Sequence, residues 1–158
     1  MADRHSAAVR RKNMAAIKGK NTKPELMVRR GLHARGFRYS LHRKDLPGKP
    51  DMTLPKYNAV IFVNGCFWHG HNCKAFSWPK TRQAFWREKI SRTVERDNEN
   101  AKLLIGQGWR VTTIWECALK GPNKLGIDNI TQELSEWLYS EDEVLTIGVT
   151  DKTVLSCS

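Results

Sequence analysis

The stretch AVIFVNGCFWHGHNC, residues 59–73, governs the reading of the whole chain. Its first five residues are continuously apolar, as expected of a strand buried on both faces. The rest packs two cysteines, two histidines, a Phe and a Trp into a segment with no room for another core element. Metal ligands and large aromatics on one short loop call for a chemical reason.

Upstream, FRYSL (37–41) and PDMTL (50–54) are strand candidates, separated by the turn sequences DLPGKP and PKYN. Before them, TKPELMVRRGLHARG (22–36) carries a full set of helix signals. Thr22 and Glu25 form a capping box, Pro24 fits the first turn, and Gly36 closes the helix. Downstream, a helix spans 81–107 with Gly108 as its stop, and WRVTTIW (109–115) is a fourth strand. An amphipathic helix over 128–139 then leads into an acidic, poorly patterned tail. The order describes one α/β domain over 21–140, with a basic arm at 1–20 and a tail at 141–158.

Length and charge narrow the function. The chain has 158 residues, enough for one domain with its own core. The N-terminus MADRHSAAVRRKNM is polar and basic rather than secretory, and no apolar run approaches the roughly 18 residues of a membrane span. A soluble, cytosolic protein is expected. The formal net charge is +11. Residues 1–50 hold 14 Lys/Arg against 3 Asp/Glu, whereas residues 51–158 hold 13 of each. The whole surplus lies in the first third, the footprint of a polyanion partner such as nucleic acid.

Nothing points to an oxidising compartment, so the four cysteines are read as metal ligands or free thiols. Cys66, His71 and Cys73 follow a C-x4-H-x-C spacing, and Cys117 comes directly after the fourth strand. Three thiolates and an imidazole make a closed tetrahedral zinc site. Each cysteine alone would read as an ordinary buried thiol; the set of four ligands favours zinc. Cys157, in the tail, is left as a free thiol.

His69 is then surplus. The apolar stripe of the second long helix runs Ile90, Val94, Asp97, Ala101, Leu104, so Asp97 occupies a slot where Leu is expected. An inward carboxylate is costly unless partnered, and His69 is the natural partner. An Asp97–His69 pair for acid–base work is the reading taken, with Asp97 reaching water at the helix edge as the alternative that periodicity alone leaves open. Asp51, at the start of a strand after a tight turn, is placed to bind magnesium together with phosphate oxygens. Phe67 and Trp68, on a metal-stiffened loop, suit either a wedge that enters a base stack, which a mismatch makes easier, or a small core packed around the zinc. Trp86 lies four residues before Ile90 on the stripe, so periodicity alone assigns it to the core.

PGKPD, VIFVNGCFWHGHNC, FWREKI, ERD and GWRVTTIWECAL together resemble the very short patch repair endonucleases, with compatible spacing from about residue 8 to 139. The resemblance implies a restriction endonuclease-like core of αβββαβ order with a mixed central sheet. It implies a Mg²⁺-dependent nick 5′ of the thymine in a T·G mismatch left by 5-methylcytosine deamination, in double-stranded DNA. By motif, Asp51 would be the metal carboxylate, Val63 would offer its backbone carbonyl to magnesium, and His69 would be the general base supported by Asp97. Glu25 would stand near the metal waters. Cys66, His71, Cys73 and Cys117 would hold structural Zn²⁺. Phe67, Trp68 and Trp86 would intercalate, Lys89 would face the target bases, and the arm with Arg10, Arg11, Lys12 and Met14 would embrace the duplex. A monomer suffices for one nick. Mismatch-repair proteins and a repair polymerase would be partners, in a cytoplasmic, nucleoid-associated bacterial setting.

Three positions depart from the family pattern: Val63 stands where Thr is common, Asn64 where a second active-site His is typical, and Thr93 where Asn is usual. Asn64 keeps a hydrogen bond but not a proton transfer. Two other readings are a non-catalytic zinc-stabilised DNA-binding module and a nuclease of the same fold with different mismatch or sequence scope. Asp51→Ala separates the first, which has no cleavage to lose, and a substrate panel separates the second.

Overall fold

In the computed structural model the described residues are 21–73, 76–121 and 124–149. Thr22 caps helix α1 (Lys23–Ala34), its Oγ1 accepting from the Glu25 N–H at 3.4 Å, with Pro24 in the first turn. The reciprocal half of the capping box falls one residue earlier, because a Glu25 carboxylate oxygen takes the Asn21 N–H at 3.0 Å. This leaves the other Glu25 oxygen free for a partner elsewhere.

Five strands follow the chain order across one sheet: β1 (Ser40–Leu41), β2 (Met52–Leu54), β3 (Ala59–Asn64), β4 (Arg110–Trp115) and β5 (Val144–Ile147). β1 to β3 pair antiparallel, while β3–β4 and β4–β5 pair parallel. Parallel pairing needs a long crossover. Between β3 and β4 it is supplied by the cysteine loop and α2 (Gln83–Gly106), and between β4 and β5 by the short α3 (Glu116–Leu119) and α4 (Ile127–Tyr139). The protein is therefore a mixed α/β fold with a five-stranded mixed sheet.

β3 is buried on both faces, as its apolar run predicts. Ile61 packs with Val28 and Leu32 of α1 and with Ile130, Leu134 and Leu138 of α4. Its neighbour Val60 packs on the opposite face with Leu104 and Val111. The first cluster is the main core. The second is small, since Ile90 and Leu104 are the buried residues of the 24-residue α2. The shortfall on this face leaves room for a cleft.

Two expectations are corrected. The strand read over 37–41 shrinks to Ser40–Leu41 because Phe37 turns into the core against Tyr57 and Tyr139, with ring centroids 5.6 and 5.8 Å away. The tail read as poorly patterned contributes β5, in which the Val144, Leu145 and Ile147 side chains follow three acidic residues. A four-residue edge strand carries little periodicity of its own and takes its conformation from pairing with β4. Arg110, at the start of β4, donates to the carbonyls of Trp137 and Leu138, closing the end of α4, and stacks on the Trp137 ring at 4.5 Å. Among the described residues, no helix is long and apolar enough to cross a membrane.

Candidate active site and metal centre

Between the sheet and α2 lies a cleft of about 180 Å³, and Asp51, Val63, Asn64, His69 and Asp97 are among the residues that line it. The pleat explains this: Phe62 and Asn64 alternate with Val63 along β3, so the α2 side receives Phe62 and Asn64. The sequence-derived candidates Asp51, His69 and Asp97, from three separate segments, thus meet in one hollow.

Asp51 immediately precedes β2, and its Oδ2 accepts the Val63 N–H at 2.7 Å across the β2–β3 pair. Burial pushes its carboxyl up to about 7; the nearby Glu25 carboxylate adds to the rise, while the Val63 N–H and Arg29 oppose it. Glu25, 1% exposed, bonds His42 Nε2 at 2.8 Å through Oε2, with the Arg29 guanidinium 3.6 Å away. Glu25, His42 and Asp51 each present a donor atom within 4.8 Å of the others. Two close carboxylates in a largely buried setting are the donor set of a hard divalent cation, so these residues fit a metal. His42 is absent from the sequence reading. It lies nine residues before Asp51, in no motif, and only the β1–β2 turn brings it to the pair.

His69 Nδ1 and Asp97 Oδ2 are 2.6 Å apart, so Asp97 in the Leu slot of α2 does meet the surplus histidine. Both side chains stay partly open to the cleft, 27% and 36% exposed. The loop reaches this position through Gly70, whose φ is +64° and where a Cβ would come within 2.8 Å of Ile90 on α2. Any side chain there would lift the loop off the helix.

Cys66, His71, Cys73 and Cys117 bring their ligand atoms within 4.8 Å of one another, the geometry of a four-ligand metal centre. Burial raises the Cys66 and Cys117 thiols and lowers the His71 imidazole, so each of these three groups is held neutral unless a cation is bound. The His71 ring stacks on Trp115, with centroids 4.2 Å apart and planes 11° apart. Val149, just past β5, donates its N–H to the Cys117 sulfur at 3.2 Å. Gly148 makes this approach possible, since a Cβ there would be 2.9 Å from Trp115.

Phe67, Trp68 and Trp86 form one edge-to-face cluster with centroid separations of 5.2–5.9 Å. Trp86 belongs to neither core cluster, which corrects the assignment that periodicity makes. At the first turn of α2 the stripe has run past the sheet, and the loop aromatics meet it instead. Trp68 remains 40% exposed. Lys89 Nζ lies 5.9 and 6.0 Å from the Trp68 and Trp86 ring centres. Arg10, Arg11, Lys12, Met14 and Cys157 lie outside the described residues.

Comparison with known proteins gives the family. The family model described as DNA mismatch endonuclease Vsr matches residues 2–75. The DNA mismatch endonuclease Vsr of Escherichia coli K12 is 44% identical over 141 residues, covering 89% of this chain and 90% of that protein. The type II nicking enzyme V.XorIIP of Xanthomonas oryzae pv. oryzae is 47% identical over 119 residues, 75% of this chain and 88% of its own. The nicking enzyme V.NmeAIP of Neisseria meningitidis serogroup A is 47% identical over 107 residues, 68% and 76% of the two chains. In class, then, the protein is a DNA endonuclease. The chain belongs to the Vsr family of DNA mismatch endonucleases.

Proposed function

We propose that the chain nicks one strand of duplex DNA 5′ of the thymine in a T·G mismatch produced by deamination of 5-methylcytosine, and so starts short patch repair. The fold would be the restriction endonuclease-like core, acting as a monomer. The observation that carries this reading is the meeting of Asp51 with the His69–Asp97 pair in one cleft.

In this reading Asp51 and the Val63 carbonyl would hold Mg²⁺, with Glu25 standing beside them. The ion's contribution is to offset the charge that builds on the phosphate. Asp97 binds Nδ1 of His69 and so fixes the ring and its tautomer; Nε2 is the nitrogen left to take a proton from the attacking water. Asn64 in the same cleft is a hydrogen-bonding group that cannot replace a second base. Cys66, His71, Cys73 and Cys117 hold Zn²⁺, which stiffens the loop bearing His69 and the wedge. Phe67, Trp68 and Trp86 enter the stack beside the mismatch, Lys89 meets the bases above them, and Arg10, Arg11, Lys12 and Met14 track the duplex. Handover to mismatch-repair proteins and a repair polymerase completes the reading, in a cytoplasmic, nucleoid-associated setting.

The test is strand-specific nicking of an end-labelled duplex with one T·G mismatch in Mg²⁺, beside the matched C·G duplex and the Asp51→Ala protein. A nick 5′ of the mismatched T, absent from both controls, is expected. Equal cutting of the matched duplex would overturn the mismatch assignment.

A further inference from the structure

We infer that His42 is a nitrogen donor to the cation that Asp51 holds, so that the site filled by Mg²⁺ in the reading above binds a first-row transition ion such as Mn²⁺ more tightly still. The inference rests on the reading of Asp51 as the carboxylate of that cation. Its evidence is the placement of His42 itself.

The backbone of His42 takes φ +49°, a left-handed conformation uncommon outside glycine. Two bonds hold it there. Its N–H donates to the Asp51 carbonyl at 3.2 Å, and its Nε2 lies 2.8 Å from Glu25 Oε2. The backbone of His42 is thereby tied to Asp51 and its imidazole to Glu25, with only 20% of its side chain exposed.

The spacing suits shared coordination. In an octahedron with bonds near 2.1 Å, adjacent donors lie about 3.0 Å apart and opposite ones about 4.2 Å. The Nε2–Oε2 separation of 2.8 Å, here a hydrogen bond, is close to that of an adjacent pair, and all three donor atoms fall within 4.8 Å of one another, so a small closure would seat them on one ion. Imidazole nitrogen draws first-row transition ions, whereas magnesium keeps to oxygen and water. A His alongside two carboxylates therefore shifts the preference of the site away from magnesium.

The experiment is Mn²⁺ binding to the full zinc-loaded chain without DNA, followed by electron paramagnetic resonance, with Mg²⁺ as competitor. His42→Asn is the variant, because Asn tolerates left-handed backbone better than most residues and removes the imidazole without adding strain. Circular dichroism checks that the variant is folded, and His42→Gln serves in its place if it is not. The native chain should bind Mn²⁺ at least about tenfold more tightly than Mg²⁺, and the variant should lose most of that ratio. Electron spin-echo modulation from a directly bound ¹⁴N should be present in the native chain and absent from the variant. Persistence of both the ratio and the ¹⁴N signal in the variant would overturn the inference. Asp51→Asn separates the two readings. Loss of Mn²⁺ there but not in His42→Asn leaves the Asp51 reading standing and sinks the His42 role, and binding unchanged in both sinks the two together.

Discussion

Asp97 Oδ2 lies 2.6 Å from His69 Nδ1, across 28 residues of sequence and from a different element of the fold. The carboxylate occupies a sheet-facing slot on α2 where a leucine would give more stability, and it is spent on one imidazole nitrogen. Asp97→Asn keeps the size and a hydrogen bond but no longer fixes which imidazole nitrogen carries the proton. Single-turnover nicking should fall about 10²-fold or more with DNA affinity unchanged. A fall in affinity with an unmoved single-turnover rate would mean that Asp97 merely packs.

Asp51 offers a prediction with a definite sign. Its folded carboxyl sits near 7 against an ordinary 3.8, so between those values the folded chain holds a proton that the unfolded chain has released. Stability of the cation-free protein therefore falls as pH rises through this window, by an amount of order a few kcal/mol. Asp51→Asn should unfold at a higher temperature than the native chain at pH 8 without divalent cation, and the gap should close toward pH 4. Nicking should be lost. Cation affinity of the native chain should weaken below pH 7, where a proton competes for the site.

Removal of the metal from the four-ligand centre should be felt in two distant places. Cys117→Ser, or a strong chelator, releases the loop that carries His69 and also the sulfur that accepts the Val149 N–H. Hydrogen exchange should quicken in both the 66–73 loop and β5, with a stability loss of several kcal/mol. Quickening confined to the loop would show that β5 is held by its ladder to β4 alone.

Trp86 distinguishes a wedge from a core residue. Trp86→Ala should cost less than about 2 kcal/mol in denaturant unfolding, against the 3–5 kcal/mol usual for a buried tryptophan. The same variant should weaken binding to T·G duplex about tenfold or more while affecting matched duplex less.

The sequence made the larger elements legible wherever a pattern was long. The α2 stripe, the apolar β3 run and the cap signals of α1 all lie within two or three residues of their observed bounds. Asp97 was legible because a carboxylate interrupts an apolar period. β5 was not, because four residues behind an acidic run have too little period to read. Trp86 was misassigned by periodicity, since the stripe continues beyond the edge of the sheet that it faces. His42 gave no local signal at all. Its meaning comes from two long-range bonds, to Asp51 and Glu25, which no spacing rule encodes.

The clasp between Val149 and Cys117 also sets an order in time. Asp51, His69 and Asp97 emerge from the ribosome well before β4, and β4 before the strand that ends at the clasp. The fourth member of the cysteine–histidine cluster arrives only with residue 117, and its backbone support only with residue 149. A half-synthesised chain thus carries His69 on a loop still lacking the partner that reaches it from just past β4.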